Sequence, residues 1–248
     1  MSLETDDDGQ IRLQKLLAQS GVASRRKCEE IMLAGLVEVD GEIVTRLGTK
    51  VDPTTAVIRV DGKRLPPVSP HVYLVLNKPR GVVSTMSDPE GRRALDEFVA
   101  DRPERLFHVG RLDTDTEGLI LLTNDGDFAQ RVAHPSYELD KTYVAEVDGV
   151  VSRATVQRLL DGVTLEDGPV EVGSAKVVSS TQGRSIVEVV IHEGRNRIVR
   201  RLLDEVGHPV RRLTRTAIGP VQVRGLRHGA LRELTLDELG VLLDAASL

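Results

Sequence analysis

Apolar positions along the chain switch between a helical and a strand period, and the switches mark the elements. Leu13, Leu16 and Leu17 make one helical stripe. Cys28, Ile31 and Met32 make a second, opened by Ser24 as a suitable N-cap and ended by Gly35. Val37, Val39, Ile43 and Val44 flank Asp40-Gly41, the dipeptide favoured in two-residue hairpins. From Asp61 to Pro70, with Gly62, Pro66, Pro67 and Pro70, the pattern predicts a turn and then a semi-rigid linker. VYLVL (72–76) resumes as a strand, Asn77-Lys78-Pro79-Arg80-Gly81 turns, and residues 94–100 make a short helix. Leu119, Ile120, Leu121 and Leu122 run apolar without alternation, as in a strand buried on both faces. Asn124-Asp125-Gly126 closes that strand with a turn, and a helix over 127–133 stops at His134-Pro135.

The second half alternates in the same way. ELDKTYVAEVDG is a strand, and Ser152 caps a helix with Val156, Leu159 and Leu160 on one face. Residues 170–179 and 186–192 read as strands. A further helix buries Ile198, Val199, Leu202, Leu203 and Val206 and leaves Arg197, Arg200 and Arg201 on its other side. Residues 210–223 are strand and turn. Thr235 with Glu238 is a capping box for a last helix carrying Leu239, Leu242 and Leu243. This order predicts an α+β chain. Residues 1–10 are a disordered acidic tail, 11–60 a small α/β module and 61–71 a linker. Residues 72–248 form a larger mixed, mainly antiparallel sheet flanked by helices.

Composition narrows the picture. The chain has 248 residues, 40% hydrophobic but only 2% aromatic and without Trp, so the core is built from Val, Leu and Ile. Cys28 is the single cysteine, which excludes an internal disulfide and a Cys-rich metal site. No apolar run approaches a membrane span, and the first residues are acidic, unlike a signal peptide. A cytoplasmic location away from membranes is expected. His134 has no second ligand at useful spacing, so no metal is expected.

The net charge of −5 hides an uneven distribution. Residues 195–232 hold ten Arg and no Lys against Asp204 and Glu205, a local +8 that leaves −13 for the rest. Such a tract attracts phosphate even in an acidic protein, because exposed charges are screened beyond about 10 Å. Arg25, Arg26 and Lys27 crowd the first turn of a helix, against the macrodipole, which also fits a polyanion partner.

The candidate chemistry lies in residues 109–126, VGRLDTDTEGLILLTNDG. Gly110 permits an unusual backbone conformation, and Arg111, Asp113 and Asp115 charge a loop that runs directly into the apolar strand. A carboxylate there is held by a rigid element yet reaches a cleft. Most loop Asp residues only cap or turn, and the residue pattern alone does not decide between the two roles. The motif does more. Gly110-Arg111-Leu112-Asp113, followed by Thr116, Gly118, Leu119, Leu121, Leu122, Thr123, Asp125 and Gly126, resembles the active-site motif of bacterial ribosomal RNA pseudouridine synthases of the RsuA/RluB family.

That resemblance implies Asp113 as the catalytic nucleophile. YLVLNKPRGVVST is similar to the family's first motif, and Lys141-Thr142-Tyr143 to its K-x-Y motif, which makes Tyr143 the residue that packs on the target base. EGRNRIVRR is similar to the third motif. Its register assigns Arg200 as the ionic partner of Asp113, with Arg195 second; Ile198 stands where the family often has Gln. The string RLQKLLAQSGVASRRKCEEIMLAGLVEVDGEIV resembles an S4-type RNA-binding module. By the same resemblance Arg25, Arg26, Lys27, Lys78, Arg111, Lys141, Arg195, Arg197 and Arg201 are RNA-contacting candidates. The implied activity is isomerisation of uridine to pseudouridine in ribosomal RNA, free or in a subunit precursor, by a monomer without a cofactor. The segment Ala133-His134-Pro135-Ser136 looks more like the large-subunit branch. The alternatives are a small-subunit target, a non-catalytic ribosome-assembly protein on the same scaffold, and a metal-dependent nuclease using Asp113, Asp115 and Asp125. The last is disfavoured because a core strand separates Asp125 from the other two.

Overall fold

The stripe of Leu13, Leu16 and Leu17 is buried against Cys28 and Met32 in the computed structural model of the chain. Strand β1 (Ile11–Arg12) leads into helix α1 (Leu13–Gln19), and α2 (Arg25–Leu33) follows with Ser24 Oγ accepting from Lys27 N at its start. Next come β2 (Val37–Val39), β3 (Glu42–Ile43), β4 (Lys50–Val51), β5 (Ile58–Val60) and β6 (Lys63–Arg64). Strands β3-β2-β5-β6 form one sheet in that order, and β1 pairs with β4. Asp40-Gly41 turns between β2 and β3 with both residues at positive φ (52° and 91°). Asp61-Gly62 makes the same turn, at 49° and 72°. Lys63 and Arg64, expected in the linker, are therefore a strand of this sheet.

The structure describes residues 9–65, 70–134, 137 and 139–248. Most of the acidic tail, the Pro-rich part of the linker, and Pro135 and Ser136 lie outside them. The chain divides into two units, Met1–His71 with Pro103–Arg105, and Val72–Arg102 with Leu106–Leu248. Pro103–Arg105, expected in the second unit, group with the first.

The second unit continues with β7 (Tyr73–Lys78), a 3-10 turn (Leu95–Phe98) shorter than the expected helix, β8 (Phe107–Val109) and β9 (Thr116–Thr123). It then runs α3 (Gly126–Ala133), β10 (Lys141–Asp148), α4 (Arg153–Leu160), β11 (Val163–Leu165), β12 (Gly168–Val170), β13 (Ser174–Thr181) and β14 (Arg184–Ile191). It ends with α5 (Ile198–Glu205), β15 (Val210–Ile218), β16 (Val221–Gln222), β17 (Leu231–Glu233) and α6 (Leu236–Ala245). Among the described residues nine of these strands make one sheet, ordered β13-β14-β10-β15-β9-β7-β17, with β16 on β15 and β8 on β9. Only the β15–β9 pair in it is parallel.

All eight residues of β9 are buried, as its apolar run requires. Ile120 and Leu122 join one core with Leu202 and Leu203 of α5. Leu119 and Leu121 join the other, with Phe128 of α3 and Leu242 of α6. Each such side chain contributes roughly 2 kcal/mol by leaving water, so β9 is anchored from both faces. Asp125, expected in a turn, caps α3 by accepting from Asp127 N and Phe128 N, and the Tyr73 hydroxyl donates to it at 2.8 Å. Ser152 and Thr235 cap α4 and α6 as their spacing predicts. Among the described residues no helix is long and apolar enough to cross a membrane.

Candidate active site

The loop between β8 and β9 is fixed through its main-chain groups. Gly110 adopts φ +68°, and its carbonyl is bonded to His108 Nδ1 at 2.7 Å. Ser84 Oγ donates to the Leu112 carbonyl at 2.7 Å and accepts from Leu112 N at 3.1 Å. Thr116 N donates to the Asp113 carbonyl at 3.0 Å, and Gly81 N to that of Thr114 at 2.7 Å. These bonds tie the Asp113 loop to Gly81, Ser84 and the first residue of β9. Its carboxylate, 32% exposed, is open to solvent on one side.

Asp113 borders a cleft of about 430 Å³, a volume within the range of small-ligand sites. Arg111 and Leu112 adjoin it, Lys141 and Tyr143 come from β10, Arg195 and Arg197 from the turn before α5, and Leu213 and Arg215 from β15. Alternate residues of β10, from Lys141 through Tyr143 to Val147, face inward, so Tyr143 is a wall residue only 7% exposed. The structure thus brings Asp113, Tyr143 and the third-motif Arg tract to one cavity.

The ionic partners differ from expectation. Arg197 Nη1 lies 3.5 Å from Asp113 Oδ2, and its fork donates to both oxygens of Asp115, at 3.1 and 3.2 Å. Arg200, assigned to Asp113 from the motif register, instead pairs with Asp115 at 3.3 Å. It also donates to the Asp115 carbonyl at 3.0 Å, to Thr116 Oγ1 at 3.3 Å and to the Val210 carbonyl at 3.3 Å. The reason is helix geometry. Arg197 is the N-cap of α5, in the left-handed region at φ +48°, so its side chain leaves ahead of the helix and toward the cleft. Arg200 lies one turn in, buried rather than on a polar face, and its fork is taken up by the start of β9. Burial pulls its guanidinium below the usual range, with Asp115 opposing. For Asp115, burial would raise the carboxyl, but Arg197 and Arg200 together hold it below its ordinary value.

Arg195, the second choice for Asp113, bonds to Glu193, to Asp167 Oδ1 at 2.9 Å and to the carbonyls of Asp167, Gly168 and Pro169. Arg201 shares Asp167. Both are thus ion-paired within the protein. Lys78, expected to contact RNA, has no exposure; its Nζ donates to the Val82 and Pro79 carbonyls at 2.8 and 3.2 Å, so it cannot reach a phosphate. Lys141 is buried too, its Nζ donating to the Leu139 and His192 carbonyls, but unlike Lys78 it borders the cleft. Arg111 is exposed at the cleft, and Arg25, Arg26 and Lys27 are exposed on the first turn of α2, with Lys27 paired to Glu30 at 2.6 Å. Arg215 was not singled out from the sequence. The signal was there: it falls in phase with Leu213 and Ala217 on the buried side of β15, where a charge is out of place.

Comparison with known proteins identifies the family. Residues 72–205 match the model of the RNA pseudouridylate synthase family, and residues 11–57 that of the S4 domain. The chain is 52% identical over 241 residues to an uncharacterized RNA pseudouridine synthase of Mycobacterium tuberculosis, covering 96% of this chain and 95% of that one. It is 46% identical over 230 residues to the ribosomal large subunit pseudouridine synthase B of Bacillus subtilis, covering 92% and 93%. The crystal structure of a pseudouridylate synthase superposes with a TM-score of 0.63 at 28% identity, covering 94% of this chain and 99% of that chain. The chain belongs to the RNA pseudouridine synthases, enzymes that isomerise uridine within RNA. Its S4 domain and its relatives place it in the RsuA/RluB type.

Proposed function

We propose that this enzyme converts one uridine of large-subunit ribosomal RNA to pseudouridine, with Asp113 as nucleophile. The observation that carries the reading is Asp113 itself: a half-exposed carboxylate on a rigid loop, facing Arg197, at the mouth of a cleft walled by Tyr143. The reaction breaks the bond from ribose C1′ to N1, turns the base, and joins C1′ to C5. The C5 proton is lost and N1 gains one, so neither a redox step nor a group donor is needed and no cofactor is called for. A carboxylate supplies the nucleophile, and Arg197, 3.5 Å away, holds it aimed. The target must leave its helix to enter the cleft, where Tyr143 offers a stacking face. The exposed cations of α2 grip backbone elsewhere on the RNA.

The large-subunit assignment is supported by the name of the Bacillus subtilis relative and by the segment before β10. The test is a pseudouridine map of ribosomal RNA from cells with and without this protein. One large-subunit position should lose its modification. A loss confined to small-subunit RNA would overturn the target and leave the chemistry standing.

A further inference from the structure

Two cations are buried in the wall of the cleft, neither paired with a carboxylate among the described residues. Arg215 on β15 is 3% exposed and Lys141 on β10 is 9% exposed, and both border the cavity. Their strands are neighbours, with Arg215 opposite Tyr143 in the ladder. Main-chain carbonyls hold them in place: Arg215 Nε donates to Leu119 at 2.8 Å, and Lys141 Nζ to His192 at 2.9 Å. Arg215 Nη2 is buried and has no hydrogen-bond partner among the described residues. Arg200 Nε also lacks a hydrogen-bond partner among the described residues, but Arg200 and Arg197 share Asp115, and Arg212 has Glu117.

A buried guanidinium with no counter-charge is unfavourable unless something that binds there supplies the charge. Burial, and then the nearby Arg215, pull the Lys141 ammonium below its usual range against Asp140 and Glu193. A uracil carbonyl would satisfy one N–H and leave both charges uncompensated. A phosphodiester answers both, and its oxygens match the guanidinium fork.

We propose that Arg215 and Lys141 form an anion subsite inside the cleft that takes a phosphodiester adjoining the flipped uridine. The assignment rests on the cleft being the target-nucleotide site. A base stacked on Tyr143 then carries its own backbone alongside Arg215, the ladder partner of Tyr143.

The probe is a short RNA hairpin containing the mapped uridine, made with its native diesters or with a neutral methylphosphonate on the 5′ or the 3′ side of that uridine. Conversion of the native hairpin by the wild type checks the pseudouridine reading. One of the two neutral linkages should weaken binding to the wild type about tenfold. Arg215→Gln should weaken the native hairpin by a similar factor and become indifferent to that linkage, and Arg215→Lys should recover part of the loss. The linkage exchange needs no variant, so a misfolded Arg215→Gln leaves the test intact. A converted hairpin that binds equally well with either neutral linkage overturns the subsite alone. Sensitivity to the linkage that persists undiminished in a folded Arg215→Gln also overturns it. A hairpin that the wild type never converts sinks the target-nucleotide reading, and the subsite with it.

Discussion

Gly118 faces Arg215 across the parallel pair β9–β15, and a Cβ on Gly118 would stand 2.2 Å from the Arg215 carbonyl oxygen. The main chains approach more closely there than any side chain permits, and Gly118 holds φ +107° to allow it. Among the described residues this is the one parallel ladder of the large sheet, and it joins the strand that begins just after Asp113 to the strand that carries Arg215. Gly118→Ala must part the two strands. We expect a loss of about 3 kcal/mol or more of stability, from backbone strain and overpacking together. Urea unfolding measures it, and a midpoint equal to that of the wild type would contradict the geometry.

Much of this was legible in the sequence for physical reasons that can be named. The run Leu119 to Leu122 announces burial on both faces, and the two cores of the second unit receive its residues alternately. The caps at Ser24, Ser152 and Thr235 follow from residue type and spacing. The charge tract was the weaker guide. Its local +8 ignores acids outside the tract, and folding brings Glu117 to Arg212, Asp148 to Arg211, Asp167 to Arg201 and Glu238 to Arg232. Helical spacing also put Arg197 and Arg200 on one polar face. A left-handed residue at 197 sends the two side chains to different tasks, and no spacing rule signals that conformation.

The partition between those two arginines is measurable. Asp113→Asn should fold and bind RNA while its rate falls about a thousandfold or more, as expected for loss of a nucleophile. Arg197→Gln should lower the single-turnover rate with little change in stability, since its side chain is half-exposed and reaches the two carboxylates from outside. Arg200→Leu removes a buried fork from the Asp115, Thr116 and Val210 acceptors and should lower stability by about 2 kcal/mol or more. If Arg200→Leu leaves stability unchanged while Arg197→Gln unfolds the protein, the pairing is reversed.

The first unit should act through affinity. Arg25 and Arg26 are exposed on the first turn of α2, the end of a helix where phosphate is also favoured by the dipole. Replacing both by Gln should weaken RNA binding and reduce the slope of log affinity against log salt by about 0.7 for each single-strand phosphate no longer neutralised. The rate at saturating RNA should fall far less than the affinity. Filter binding across a salt series decides it. An unchanged slope would remove these residues from the RNA interface.

Lys78 gives a pH signature of its own. It has no exposure, and burial pulls its ammonium down to about 8 even though Asp113, Asp115 and Glu117 favour the charged form. In the unfolded chain a lysine keeps its proton to about pH 10.4. Below about pH 8 both states are protonated and the penalty of burying the cation is fully present. Between there and about pH 10.4 the unfolded chain binds more protons than the folded one, so stability rises with pH. Tyr73 acts in the opposite sense above about pH 10, because burial and its bond to Asp125 raise its hydroxyl. That effect is common to wild type and Lys78→Met, so the difference between the two proteins isolates the lysine. Urea unfolding at pH 7, 8, 9 and 10 should show the wild type gaining on Lys78→Met above pH 8 and running parallel to it below. A difference that stays flat across the series would mean that Lys78 is solvated or compensated as a cation, and one that moves the other way would mean that its folded-state affinity for the proton is raised.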